Sequence, residues 1–213
     1  MIPAVAITGL ILAGGRGARM GHVDKGLQLF NGLPLAAHAI ARLAPQVGPL
    51  ALNVNRSQAE YAAFGLPLWP DLLSGFAGPL AGLQAGLSRC ATPYLLSVPC
   101  DSPLLPRDLA ARLSAALEDA DADLALAVTD GDEDGDGNHS RPQRHPVFCL
   151  MKTALLPHLN DYLHGGGRKM ENWMDTLASV DVHFDDRAAF SNINTLQQLQ
   201  QLEQHPQHSQ YSP

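Results

Sequence analysis

The chain has 213 residues, 46% of them hydrophobic, which is enough for one α/β domain with a sizeable core and short for two. Its formal net charge of -7 argues against a general nucleic-acid binder, so an anionic ligand needs a local basic patch. No apolar run approaches the roughly 20 residues of a membrane helix, and the N-terminus carries neither a basic n-region nor a signal-cleavage pattern. Cys90, Cys100 and Cys149 are scattered, with no Cys-x-x-Cys pair. That set fits reduced thiols in a cytoplasmic protein better than a disulfide framework or a zinc site.

The apolar run Val5 to Leu12 is short, rich in β-branched residues and bounded by glycine, and reads as a buried strand. It runs into Ala13-Gly14-Gly15-Arg16-Gly17-Ala18-Arg19-Met20-Gly21, with Asp24 and Lys25 close behind. Glycines let a backbone turn tightly and approach a ligand, and amide groups in such a loop can converge on phosphate oxygens. Arg16, Arg19 and Lys25 add the charge that a polyphosphate needs. The loop is not a P-loop, because no Gly-Lys-Ser/Thr follows, and basic residues inside it are foreign to a dinucleotide fingerprint.

Pro34 to Leu43 has apolar residues at helical spacing, with proline suited to the first turn. Leu50 to Val54 reads as a strand ending in Asn53-Val54-Asn55-Arg56. Alternation puts Asn53 and Asn55 on one face, either as a plain turn or as amides that read a base edge or a ribose. Ser57 is a candidate N-cap for a helix through Phe64, with Glu60 completing a capping box. A short strand, Leu66 to Trp69, ends in Pro70-Asp71, and Asp71 either caps the next turn or faces a ligand. Gly78-Pro79-Leu80-Ala81-Gly82 enters a helix to about Arg89, leaving amide groups free at its start.

Tyr94 to Val98 is a second buried strand, ending in Pro99-Cys100-Asp101-Ser102-Pro103. A carboxylate there can hold Mg²⁺, which takes one or two carboxylates plus substrate phosphates, so Asp101 is the candidate metal ligand. Cys100 carries too soft a thiolate for that ion and reads as a small residue near the site. Pro106 to Leu117 is an amphipathic helix with Asp108 in its first turn, and Leu124 to Val128 is a strand. Thr129 to Pro146 is dense in Asp, Gly, His and Arg and reads as a solvated loop, mobile over 129–145. Asp130-Gly131-Asp132-Glu133-Asp134-Gly135 matches the front of a calcium loop, but the twelfth position is Arg141. Arg141, Arg144 and His145 are candidates for touching an anionic second substrate.

Val147 to Met151 returns as a strand, and Ala154 to Leu163 is a helix stopped by Gly165-Gly166-Gly167. Arg168 and Lys169 open another helix through Met174, against the helix dipole, which is informative if they bind phosphate. Val180 to Phe184 is the last strand. Asn192 and Asn194 follow, and Thr195 can cap a final helix from Leu196 to about Glu203. One domain over 1–204 with a disordered tail at 205–213 accounts for the pattern.

Leu-Ala-Gly-Gly-x-x-x-Arg-Met-Gly-x-x-Asp-Lys over residues 12–25 resembles the signature of nucleotidyltransferases with a glycosyltransferase-A-like fold. Asn53 to Arg56, Asp71, Gly78 to Gly82, Pro99 to Asp101, His145-Pro146 and Asn192 to Thr195 follow in order. Together they resemble the molybdenum cofactor guanylyltransferases from about Ile7 to Leu202. The resemblance implies an α/β fold: a three-layer α/β/α sandwich around a mostly parallel sheet, nucleotide-diphospho-sugar-transferase-like. It implies transfer of GMP from GTP to the terminal phosphate of molybdopterin, with Mg²⁺ as cofactor and pyrophosphate as leaving group.

By the same resemblance Leu12, Ala13, Gly14, Gly15, Arg16, Lys25, Asn53, Asp71, Gly78 and Asp101 bind GTP, with Asp101 also on Mg²⁺. Lys25, Asp101 and Arg19 are the candidate catalytic residues. Arg168, Lys169, Asn192 and Asn194 are candidates for the pterin side. The cytidylyl relative lacks the paired Leu-Ala-Gly-Gly and Gly-Pro-Leu-Ala-Gly signatures, which tilts the base choice to guanine. The expected partners are GTP, molybdopterin and, transiently, proteins that deliver or receive the cofactor, with no nucleic acid and no membrane. The alternatives are a cytidylyl or sugar-phosphate nucleotidyltransferase, or a non-catalytic GTP-binding regulator. The departure from the pattern is the acidic insertion between Thr129 and Ser140.

Overall fold

The computed structural model describes residues 1–13, 24–73, 78–131, 142–193 and 198. The glycine-rich loop at 14–23, the acidic stretch at 132–141 with its calcium-like pattern and Arg141, and the final helix and tail apart from Gln198 lie outside the described residues.

Strand β1 (Ile7–Leu12) starts later than its apolar run, because Ala4–Ala6 forms a 3₁₀ turn and Val5 is exposed. A two-residue hairpin follows, β2 (Leu29–Phe30) and β3 (Leu33–Pro34), turned by Asn31 and Gly32 with φ of 48° and 78°. Positive φ at both central residues gives a hairpin turn whose twist matches that of its strands. Then come α1 (Leu35–Leu43), β4 (Leu50–Asn53), α2 (Gln58–Ala62), α3 (Pro79–Arg89), β5 (Tyr94–Pro99) and α4 (Leu109–Asp119). The chain continues through β6 (Leu124–Thr129), β7 (Gln143–Lys152), α5 (Leu156–His164), α6 (Met170–Met174) and β8 (Ser179–His183), and a 3₁₀ turn at Arg187–Phe190.

The main sheet has the order β4-β1-β5-β7-β6-β8, in which only β7 runs against its neighbours. Side chains alternate between two cores, as the period of a strand requires. Ile7, Ile11, Leu96, Val98, Ala125, Ala127, Phe148 and Leu150 pack on one face with residues of α1, α2 and α4. Leu10, Leu95, Leu124, Leu126, Cys149 and Met151 pack on the other with α3, α5 and α6. This is the expected three-layer sandwich around a mostly parallel sheet. Among the described residues no helix is long and apolar enough to cross a membrane.

Other local expectations also differ from the structure. Ser57 precedes α2 in a left-handed conformation (φ 52°) and makes no side-chain cap, so the capping box does not form. A capping side chain works from an extended backbone, which Ser57 lacks. Leu66 to Trp69 is reduced to a single bridge, Leu52 to Leu68, because Pro67 and Pro70 remove the donors that a ladder needs. Asp108 sits at the N-cap of α4 rather than in its first turn, again without a side-chain cap. Thr129 and the segment from Gln143 to Pro146 belong to β6 and β7 rather than to a loop, with Thr129 paired to Gln143 and Ala127 to His145. The register slips between Leu126 and Ala127, opposite Pro146, where a bulge absorbs the missing N–H.

Candidate active site

Three parallel strands end side by side. Leu12 is in register with Asn53 on one flank and Pro99 on the other. Ala13 N–H donates to the Asn53 carbonyl at 2.9 Å and Cys100 N–H to the Leu12 carbonyl at 3.1 Å, which ties the three ends together just past the ladder. Ligands of open α/β sheets bind outside the carboxyl ends of the strands, and the candidate residues gather there.

Asp101 follows β5 with its side chain only 13% exposed, and its Oδ2 accepts from Lys25 Nζ at 3.2 Å. Burial raises the Asp101 carboxyl above the ordinary carboxylate range, and the Lys25 charge acts against that rise. Lys25 opens a 3₁₀ turn, Lys25–Leu27, capped by Asp24, whose Oδ1 accepts from Gly26 N–H at 3.2 Å. The same Oδ1 accepts from the hydroxyl of Tyr61 at 2.6 Å. Burial first, with the hydrogen bond to Asp24 and its charge adding to it, pushes the Tyr61 hydroxyl far above its ordinary value, so it keeps its proton and donates. The Cys100 thiol is likewise pushed up, by burial first and by Asp101 and Asp24 next, and stays neutral.

On the other side of β1, Asn53 Nδ2 donates to the Trp69 carbonyl at 2.8 Å and to Asp71 Oδ1 at 2.9 Å. Asn55 closes a two-bond ring with Asp71: its Nδ2 donates to Oδ2, and its Oδ1 accepts from the Asp71 N–H, each at 2.9 Å. Both carboxylate oxygens of Asp71 are thus gripped by amides. Gly78 (φ 70°) leads into α3, whose first turn presses on the same place. A Cβ on Gly82 would come within 2.5 Å of Asn53 Oδ1 and 2.8 Å of Leu12 Cδ2.

The C-terminal part of the chain returns to Asp101. Ile193 N–H donates to the Asp101 carbonyl at 2.9 Å, and Ser102 Oγ donates to Asn192 Oδ1 at 2.7 Å. Of the candidates for the second substrate, Asn192 is therefore carried to the Asp101 turn. Arg168 instead donates to the carbonyls of Leu163 at 2.9 Å and Gly167 at 2.6 Å, closing the end of α5. Lys169 sits at the N-cap of α6, outside the helix it was expected to open, and its carbonyl accepts from Tyr162. Arg144 is held by Asp175 at 3.0 Å and Asp181 at 3.1 Å, so its charge is already answered. His145 stacks on Phe190 at 4.8 Å, and its Nε2 meets Thr129 Oγ1 at 3.0 Å. Gly14, Gly15, Arg16, Arg19 and Asn194 lie outside the described residues.

Asn55 was read from sequence with Asn53, as an amide on the same face that either forms a turn or reads a nucleoside, but not as the partner of Asp71. One residue that organises the site was not singled out from sequence. Tyr61 gave no signal, because its hydroxyl meets Asp24 across 37 positions of sequence.

Among the described residues no cluster of three His, Cys, Asp or Glu side chains is arranged for a metal. Asp101 alone offers one hard oxygen donor group. That suits an ion that takes its other ligands from substrate phosphates and water.

A sheet with helices on both faces, and charged groups across its strand ends, is the fold of nucleotidyltransferases of the nucleotide-diphospho-sugar transferase class. A molybdopterin-guanine dinucleotide biosynthesis protein A from Archaeoglobus fulgidus superposes with a TM-score of 0.71 at 22% identity, covering 91% of this chain and 95% of that one. A 4-diphosphocytidyl-2C-methyl-D-erythritol synthase from Anaerococcus prevotii gives 0.69 at 12% identity, over 94% and 97%. The family model for the MobA-like NTP transferase domain matches residues 9–180. Molybdenum cofactor guanylyltransferases from Ralstonia nicotianae and Bordetella petrii are 58% and 54% identical to it, each covering 93% of this chain, and 96% and 97% of their own lengths. The chain belongs to the molybdenum cofactor guanylyltransferases, within the MobA-like NTP transferases.

Proposed function

We propose that this protein transfers GMP from GTP to the terminal phosphate of molybdopterin, forming the guanine dinucleotide of the cofactor and releasing pyrophosphate. The observation that carries the reading is the pair of fixed groups across one row of strand ends. Lys25 and Asp101 stand past β5, and the Asn53–Asp71–Asn55 knot stands past β4. Two inter-strand spacings separate those strands, about 10 Å, a span that suits a nucleoside at one end and its phosphates at the other.

An ionised phosphate oxygen of molybdopterin attacks the α-phosphorus of GTP. The new P–O bond forms as the bond to the β-phosphate oxygen breaks, and pyrophosphate leaves with the electron pair. The nucleophile is already charged at neutral pH, so no general base is needed. Catalysis then rests on position and on neutralising charge. Lys25 stabilises charge developing on the α-phosphate. Arg16, Arg19 and the amides of the glycine-rich loop hold the triphosphate, and Asn192 stands on the pterin side. Nucleotidyltransferases use a divalent metal, and Mg²⁺ held by Asp101 would supply charge neutralisation on the phosphate oxygens.

Asp71 gives the base choice a chemical basis. An ionised carboxylate only accepts hydrogen bonds. Guanine is the base whose pairing edge presents two adjacent N–H donors, so a carboxylate held in place by amides, with lone pairs left over on both oxygens, suits that edge.

The test is pyrophosphate release by purified protein with Mg²⁺ and intact molybdopterin, comparing GTP with CTP, ATP and UTP. Release with GTP alone is expected, as is a loss on the order of 10²-fold in Asp101→Asn and in Lys25→Ala. Release with CTP alone overturns the guanine assignment, and wild-type turnover in either variant overturns the roles.

A further inference from the structure

Lys25 is a long, flexible side chain, and its use depends on where its backbone is held. That backbone is fixed from one side by α2, an element that supplies no group to the strand-end row. Tyr61 of α2 is fully buried, and its hydroxyl donates to Asp24 Oδ1 at 2.6 Å. The same oxygen accepts from Gly26 N–H at 3.2 Å, so one carboxylate oxygen joins the residue before Lys25 to the residue after it. Gly26 is pinned in turn. A Cβ there would collide with Tyr61 Oη and reach within 3.2 Å of Cys100 Sγ, which fixes the depth at which the turn sits against β5. Lys25 Nζ then meets Asp101 Oδ2 at 3.2 Å.

We infer that Tyr61 is a positioning residue for nucleotidyl transfer, holding the Asp24–Gly26 turn so that Lys25 reaches the α-phosphate beside Asp101. The inference rests on the role given to Lys25 above. Tyr61 is fully buried and is not itself exposed to a ligand. Its hydroxyl anchors Asp24, and Asp24 anchors the turn. Without the hydroxyl the ring still fills its place in the core, but the turn loses the hydrogen bond that ties Asp24 Oδ1 to α2. Small displacements of a charged group in a reacting site carry large losses in rate with little loss of ground-state binding.

The experiment uses the full-length enzyme and the variants Tyr61→Phe, Lys25→Ala and the double variant. Tyr61→Phe is expected to lower kcat by about tenfold, with KM for GTP and the thermal midpoint close to wild type. In the Lys25→Ala background the same substitution should change kcat by less than about twofold, because the route through Lys25 is already gone. A second readout does not depend on turnover. Acylation of Lys25 by a limiting amine reagent, measured by mass spectrometry against Lys152 in the same molecule, should rise severalfold in Tyr61→Phe. Wild-type kcat together with unchanged Lys25 labelling overturns the inference, as does an equal loss of kcat in both backgrounds. If the wild-type enzyme releases no pyrophosphate from GTP, the proposed reaction fails, and the Lys25 labelling still decides whether Tyr61 holds the turn.

Discussion

Asp71 shows how a single side chain can be made into a reader. Its two oxygens are held by Asn53 and Asn55, and its own N–H is returned to Asn55, so the carboxylate cannot rotate to suit another base. Asp71→Asn keeps the shape and replaces one acceptor with a donor. It also turns an Asn–carboxylate pair into two amides that compete for orientation. Selectivity for GTP over ATP, taken as the ratio of kcat/KM values, should fall by roughly 10- to 100-fold, the worth of one bidentate contact of about 1–3 kcal/mol. An unchanged ratio would remove Asp71 from base recognition. Asn55→Ala should shift the ratio in the same direction by a smaller amount, because Asn53 still grips Oδ1.

At the scale of elements, α3 makes a tight joint with the sheet. Gly82 brings its helix against Asn53 and Leu12, and a methyl group there would sit 2.5 Å from an oxygen whose amide is already committed to two bonds. Alanine favours a helix over glycine by about 1 kcal/mol, but overpacking of this kind costs roughly 1–3 kcal/mol, so the clash wins. Gly82→Ala is expected to lower the thermal midpoint and raise KM for GTP severalfold, as thermal melts and steady-state kinetics would register. The helix itself was legible from sequence: Gly78, Pro79 and the apolar spacing mark its start and its span to Arg89. So were β1, β5 and the polar residues past their ends, because short apolar runs that stop at Gly or at Pro-Cys-Asp leave few other readings. The ties between elements were not. Asp71 to Asn55 spans 16 positions and Tyr61 to Asp24 spans 37, and no local pattern encodes a hydrogen bond across such distances. The failures of the Ser57 cap and of the strand at Leu66 have local causes, a left-handed φ and two prolines, of which only the prolines were visible in the sequence.

At the scale of the whole molecule, stability should depend on pH through His145, which closes β7 over Phe190 and Thr129. Burial, and then the charge of Arg187, lowers its pKa from the ordinary value of 6.5. Above that value the ring is neutral in both folded and unfolded chains, and its titration does not affect folding. As pH falls through it, the unfolded chain takes up the proton first, so stability declines until the folded ring titrates as well. Urea midpoints measured between about pH 7.5 and 5.5 should fall more steeply for wild type than for His145→Gln, and parallel slopes would remove His145 as the cause.

The pairing order of the main sheet has a consequence for how the protein is made. β1 is an inner strand made before both of its neighbours: β4 follows from Leu50, but β5 begins only at Tyr94, and the far edge of β5 stays open until Gln143–Lys152 has been made. At roughly 5–20 residues per second, the second edge of β1 waits several seconds for that pairing. The Asp101 turn is not fastened until Ile193 arrives. Vectorial synthesis thus runs against the spatial order of the sheet, and the nascent chain carries β1 paired on its β4 edge alone through the interval in which holdase chaperones act.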